Sequence, residues 1–348
     1  MKHLHIENLI EHAKSIDSEL SAHQAEWEPR FNSYIDSIKD VKQKLPFETE
    51  GELFVYLNLG TAIDNVKNNA RSLYYLRYLG QNVAEVEYDK NLGKVFLSTD
   101  KYADKNERDF NFKNEDGSPV RLQKVDWMSE EANKFKTHFS DYHPRSSKSG
   151  KKNEEHRLQN LLLREFSKQS GINKYIKFIQ PVKLLDSFFE MPVQSKGFDH
   201  KKDGNLKGGH IDIIAAIRHG NRTRAAVIEV KDDKYSKKED INAVLTQAIT
   251  YACCVRKLLR GDRKNEWAAF FGYTKQISIQ DKSLTIDVIA CIPEIPEEVQ
   301  VELKNNIKIP IGQDKLALGF ISYSEAHNNL KIDQYSIFEK DKNENHNT

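Results

Sequence analysis

Two short apolar runs near the middle of the chain each carry a charge that a buried strand would not normally hold. Residues 210–217 (HIDIIAAI) contain Asp212, and residues 225–231 (AAVIEVK) end in Glu229 and Lys231. Rich in Ile and Val and joined by His219-Gly220-Asn221, they read as the strands of a β-hairpin. Side chains alternate along a strand, so Glu229 and Lys231 project to one face while Val230 turns into the core. Pairing the strands gathers Asp212, Glu229 and Lys231. A carboxylate in an apolar strand is costly unless a counter-charge offsets it, and two side by side repel. A divalent cation relieves both problems, and hard carboxylate oxygens at a partly open site suit Mg²⁺, which keeps waters for chemistry. The chemistry on offer is cation-assisted attack by water, with Lys231 as a fixed positive charge beside it.

Two helices must position these groups. Residues 153–168 (NEEHRLQNLLLREFSK) carry Leu158, Leu161, Leu162 and Phe166 on one stripe. Glu155, three residues before Leu158, falls on that stripe at the helix start, with Glu154 as the alternate. Residues 236–260 form a long amphipathic helix with Ile241, Val244, Leu245, Ala248, Ala252, Val255 and Leu259 in register. On it Gln247 and Tyr251 lie four apart and share a face.

Together these residues resemble the PD-(D/E)xK nuclease superfamily, in particular its RecB-like and Holliday junction resolvase-like members. The match comprises Asp212, the hairpin turn and Glu229-Val230-Lys231, with Ile211 where a proline is usual. Glu155 and the Gln247/Tyr251 pair add to it. The resemblance implies an α/β fold with a restriction-endonuclease-like core over about 153–275: αβββαβ, a mixed central sheet flanked by helices. It implies that Asp212, Glu229 and the Val230 carbonyl hold Mg²⁺, with Mn²⁺ as a substitute. Lys231 would orient the attacking water, Glu155 would assist as a further ligand, Gln247 would complete the catalytic set, and Tyr251 would lie beside it. The expected activity is phosphodiester hydrolysis, on DNA before RNA and as an endonuclease before an exonuclease, in a setting of bacterial restriction or antiviral phage defence. Cutting both strands takes two sites, hence a homodimer or a larger defence complex. The rival expectation is a catalytically silent nuclease fold kept as a DNA-binding or assembly subunit.

Charge distribution points to the same segment. The formal net charge is +1, but residues 1–142 hold 19 Lys+Arg against 25 Asp+Glu, residues 143–275 hold 27 against 15, and residues 276–348 hold 7 against 12. The basic excess coincides with the motif, as a polyanion partner would require. Lys202 and Lys207 in the loop before Asp212, Arg218, Arg222 and Arg224 around the hairpin turn, and Tyr251 are the candidate nucleic-acid contacts.

Elsewhere the pattern is less specific. The expected organisation is an α-rich α+β N-terminal domain over 1–142, acting as sensor, partner or dimerisation module that gates the site. A nuclease-like domain over 143–348 follows, with a β extension at 276–338 and a disordered tail. Within the first, residues 1–44 read as two helices, 52–63 as a strand, 65–79 as a helix crowded with Tyr74, Tyr75 and Tyr78, and 84–99 as a hairpin. Residues 101–119 read as an exposed charged loop and 125–139 as a helix. Beyond the motif, 175–189 reads as a strand broken at Pro181, and 267–274 (WAAFFGYT) as the last core strand. Residues 284–292, 316–322 and 330–338 read as further strands around a helix at 296–305. Cys253, Cys254 and Cys291 lack metal-ligand spacing and read as packing residues. No run is long enough to span a membrane, and the opening residues read as an amphipathic helix rather than a leader, so a cytoplasmic location is expected.

Overall fold

The structure, a computed structural model, describes residues 3–32, 35, 53–57, 71–89, 91–141, 154–167, 179–181, 191–194, 196–197, 208–219, 222–232, 240–271, 283–326 and 329–336. The chain is mixed α/β with two sheets, one antiparallel and one mixed.

The antiparallel sheet has the order β1(Leu53–Leu57), β2(Arg71–Tyr78), β3(Gln81–Asp89), β4(Lys94–Ser98), β5(Val125–Asp126). The expected hairpin is present: Asp89 Oδ1 accepts from the N–H groups of Asn91 and Leu92 at 2.9 and 3.1 Å, and Gly93 takes a positive φ of 62° to turn the chain into β4. Three expectations fail here. The helix read over 65–79 is strand β2 where it is described: Tyr74, Leu76 and Tyr78 are all buried, so the governing period is two. The loop read over 101–119 contains a 3₁₀ turn (Asp100–Tyr102) and helix α2(Ala103–Phe110). Its charges face outward, while Ala103, Asn106 and Phe110 point inward and Phe110 meets Tyr78 and Phe139 at centroid distances of 5.4 and 5.6 Å. The helix read over 125–139 is delayed by β5 and starts as α3(Glu130–Asp141), where Ser129 Oγ accepts from Ala132 N–H.

The mixed sheet carries the motif. Helix α4(Glu154–Ser167) leads to β6(Ile179–Pro181), β7(Ile213–His219) and β8(Arg222–Val230), all antiparallel neighbours. Helix α5(Ile241–Arg260), capped by Asp240 accepting from Asn242 N–H, then crosses to β9(Thr285–Ile292), which lies parallel to β8. Helix α7(Glu297–Lys304) and β10(Lys308–Ile311) lead to β11(Asp314–Ala326), parallel to β9, and β12(Asn329–Tyr335) closes the edge beside β10. The strand expected at 267–274 is instead helix α6(Lys264–Phe270) where it is described. Trp267, Phe270 and Phe271 recur at helical spacing, and all three are buried. Its place in the sheet belongs to β9. Of the strands read as an extension, β9 is thus a central member, buried from Ile286 to Ile292 between β8 and β11, and β12 stays at the edge.

Helix α1(Ile6–Ala22), the first of the two helices expected over 1–44, packs along α5. Leu9, Ala13, Ile16 and Leu20 are buried on one stripe, and Cys253 Sγ sits 3.7 Å from the Ala13 carbonyl. Asp17 Oδ1 takes Arg256 at 2.7 Å and Lys257 at 3.1 Å, and His12 Nε2 lies 2.8 Å from Thr250 Oγ1. The second of the two helices expected over 1–44 is helical over 24–32, and the boundary expected near 142 lies outside the described residues. All three cysteines are buried, as packing residues should be. Among the described residues no helix is long and apolar enough to cross a membrane.

Candidate metal centre

The register of the hairpin decides where the charged groups meet. Ile213 pairs with Ile228, which sets Asp212 beside the end of β8. There the Val230 N–H donates to Asp212 Oδ2 at 2.7 Å. The other carboxylate oxygen, Oδ1, accepts from Gln159 Nε2 of α4 at 2.5 Å. Glu155 lies one turn earlier on α4, so the same helix face delivers both side chains. Lys231 follows β8, its backbone pinned on both sides: its N–H donates to the Cys291 carbonyl of β9 at 3.0 Å, and its carbonyl accepts from Tyr323 Oη of β11 at 2.7 Å.

The Lys231 ammonium therefore has a fixed origin. It donates to Glu229 Oε1 at 2.6 Å and Glu155 Oε1 at 2.7 Å, and stands 4.0 Å from Asp212 Oδ2. Glu155, Asp212 and Glu229 each present a carboxylate oxygen within 4.8 Å of the others. Asp212, Glu229 and Lys231 are buried, whereas the Glu155 side chain is 43% exposed.

Three acids meet one base in a space largely closed to water. Burial holds the Asp212 carboxyl well above the usual carboxylate range, and the neighbouring Glu229 adds to the effect. Burial likewise pushes Glu229 up to about 7, against the pull of Lys231. For Lys231, burial favours the neutral amine, but Glu229, Asp212 and Glu155 together outweigh it and raise the ammonium's pKa. Both carboxyls therefore hold a proton more readily than an exposed acid would.

One atom shows what the cluster lacks. Glu229 Oε2 is buried and meets no hydrogen-bond donor among the described residues. An orphaned carboxylate oxygen is costly, and a second oxygen-seeking cation would satisfy it. With hard oxygen donors, inadequate neutralisation and one half-exposed member in Glu155, the residues fit a Mg²⁺-type ion. The Val230 backbone lies alongside, at the end of β8.

Tyr251 also reaches this region. Its hydroxyl accepts from Gln247 Nε2 at 3.3 Å, the pairing expected from their spacing. Burial and then the Glu229 charge raise the pKa of its phenol. Its hydroxyl presses on the backbone of Gly209, where an added Cβ would lie 2.0 Å from Oη. Gly209 thus admits Tyr251 against the segment that leads into Asp212.

The hairpin arginines lie elsewhere. Arg218, Arg222 and Arg224 occupy the turn end of β7 and β8, and the five-residue step from Arg224 to Glu229 spans about 17 Å of strand. Arg224 stands 3.5 Å from buried Asp287, which His219 Nε2 also approaches at 2.7 Å, while Arg218 is exposed. Lys202, Lys207 and the Arg222 side chain lie outside the described residues. Gln159, which orients Asp212, was not singled out from sequence. Its signal was present, since it stands four residues after Glu155 on a helix already aimed at the site.

Comparison with family models, curated proteins and solved structures yields no match to this chain.

Proposed function

We propose that the chain is a Mg²⁺-dependent nuclease of the PD-(D/E)xK type, with a restriction-endonuclease-like core built on α4, β6–β9 and α5. The observation that carries the reading is the convergence of Asp212, Glu229, Lys231 and Glu155 at the end of the β7–β8 hairpin, with Glu229 Oε2 left without a donor among the described residues. Asp212 and Glu229, with the Val230 carbonyl beside them, would hold the ion, and Glu155 is within reach. A bound Mg²⁺ supplies Lewis-acid charge to a phosphate oxygen and to the attacking water.

The protein's own groups account for the rest. Gln159 and the Val230 N–H fix the Asp212 carboxylate in one orientation, so its geometry is set before anything binds. Lys231 stays protonated beside its carboxylates, which suits it to donate to water or to stabilise charge developing on phosphate, and not to act as a base. The basic balance of residues 143–275 favours a polyanionic substrate, DNA in the first instance. Cleavage of both strands would use a second copy of the chain, which native mass spectrometry on duplex DNA would register as a dimer.

The test is nicking of supercoiled plasmid in Mg²⁺ by wild type, Asp212→Asn and Lys231→Met, with Mg²⁺ affinity measured by calorimetry. Cleavage by wild type alone, with Mg²⁺ binding lost in Asp212→Asn, is the expected result. Wild type that binds no divalent ion, or variants that cut as well as wild type, would reject the proposal.

A further inference from the structure

Glu155 differs from the other two acids of the cluster in ways that bear on its role. Asp212 and Glu229 are shut away from water, whereas the Glu155 side chain is 43% exposed at the first turn of α4. The orphaned oxygen belongs to Glu229, not to Glu155. Glu155 Oε1 is already engaged, accepting from Lys231 Nζ at 2.7 Å. Resting partly in solvent and paired with an ammonium, Glu155 has the least electrostatic need of an ion.

We infer that Glu155 is the positioning residue of Lys231, and that the ion is left to Asp212 and Glu229. The inference rests on the nuclease reading above and departs from the ligand role expected for this glutamate from sequence.

The argument turns on what happens to Lys231 once Glu229 is shared with a divalent cation. In the structure the ammonium hangs between Glu229 Oε1 and Glu155 Oε1. A second positive charge drawn to Glu229 weakens the hold of that carboxylate on Lys231, because its negative charge then serves two cations. The Lys231 backbone cannot follow, since Cys291 and Tyr323 hold it on both sides. Only the side chain can adjust, and Glu155 is the carboxylate that remains to hold its end. Glu155 lies on the exposed side of the cluster, so an ammonium kept there stays on the side that solvent reaches. Without Glu155, a flexible four-carbon stem would place the charge poorly.

The test is a double-mutant cycle on the full chain, combining Glu155→Gln with Lys231→Met, read as kcat for plasmid nicking and as Mg²⁺ affinity by calorimetry. Glu155→Gln should lower kcat about 100-fold while leaving the Mg²⁺ Kd within about threefold of wild type. In the Lys231→Met background it should cost almost nothing further, because Glu155 acts through that lysine. A Kd raised more than about tenfold would mark Glu155 as a ligand and overturn the inference. So would a kcat loss that multiplies with that of Lys231→Met. Wild type supplies an independent arm: acylation mapped by mass spectrometry should find Lys231 protected in the Mg²⁺-loaded protein and reactive in loaded Glu155→Gln. Reactive Lys231 in the loaded wild type would also overturn it. If wild type neither binds Mg²⁺ nor cuts DNA, the nuclease reading fails and this assignment with it. If wild type does both and only the cycle fails, Glu155 alone is misassigned.

Discussion

Asp314 and the Asp212–Glu229 pair are buried carboxylates in the same sheet, yet their surroundings are opposite. Asp314 takes Arg256 Nε at 2.8 Å, both the Nε and NH2 groups of Arg260, and the Leu284 N–H at 2.8 Å. Burial pushes its pKa up, but these partners, Arg260 foremost, more than offset it, and the carboxyl titrates below the usual range. Among the described residues Asp212 and Glu229 share one ammonium and leave an oxygen without a donor, and both titrate above the usual range. The Asp314 network locks the end of α5 to the β10–β11 turn. The other cluster is short of positive charge, since among the described residues no arginine is a partner of its buried acids. Burial of an acid is therefore a poor guide to function. The balance of partners around it separates a rivet from a site.

Four measurements press on that contrast, beginning with the largest expected effect. Asp212→Asn should lower Mg²⁺-dependent nicking at least about a thousandfold, about 4 kcal/mol at the transition state, while metal-free stability stays level or rises. A variant that unfolds instead would make Asp212 a structural acid like Asp314. Asp314→Ala should do the reverse: a loss of about 3 kcal/mol or more in urea unfolding, because two partly buried guanidinium groups lose their acceptor, with nicking retained by the folded fraction. An unchanged urea midpoint would refute the rivet.

Next comes pH. Glu229 binds its proton more tightly in the folded chain, with a pKa of about 7 against an ordinary 4.5, so folding stability should fall as pH rises through that window. Measured in chelator as wild type minus Glu229→Gln, the fall should approach roughly 3 kcal/mol between pH 4.5 and 7, and saturating Mg²⁺ should erase it. A difference that is flat with pH, or rises, would show that Glu229 is neutralised as fully as Asp314. The smallest effect belongs to Gln159→Leu, which removes one donor from Asp212. Mg²⁺ affinity should weaken about tenfold with little change in stability. No change would mean that Val230 N–H alone fixes the carboxylate.

The hairpin and its charges were legible in sequence because strand alternation and short-range pairing are local properties: Asp212, Glu229 and Lys231 meet as their spacing requires. Glu155 could be placed because helix periodicity carried it to the stripe shared with Leu158. Partners contributed by distant strands were not legible. Nothing local in Cys291 or Tyr323 signals that they pin the Lys231 backbone, nor does the sequence of β9 reveal that it lies at the centre of the sheet. Short aromatic runs misled in both directions, since Tyr74–Tyr78 and Trp267–Phe271 are too brief for periodicity to separate strand from helix before tertiary contacts decide. The hairpin arginines stand where their sequence put them, around the turn, and strand length carries that turn to the far end of the sheet from Glu229.

The docking of α1 against α5 has a consequence for how the protein is made. On the ribosome, α1 emerges roughly 220 residues before the helix that covers it, a delay on the order of 10 to 40 s at ordinary elongation rates. Through that interval Leu9, Ala13, Ile16 and Leu20 have no partner, and the contact they await is among the most distant in the chain. The nascent protein must keep its first helix out of trouble until α5 is synthesised, and the two then close a loop of roughly 220 residues as the sheet gains its covering helix. Pulse-chase proteolysis of stalled chains should find α1 cleavable in every intermediate that ends before residue 260 and protected soon after.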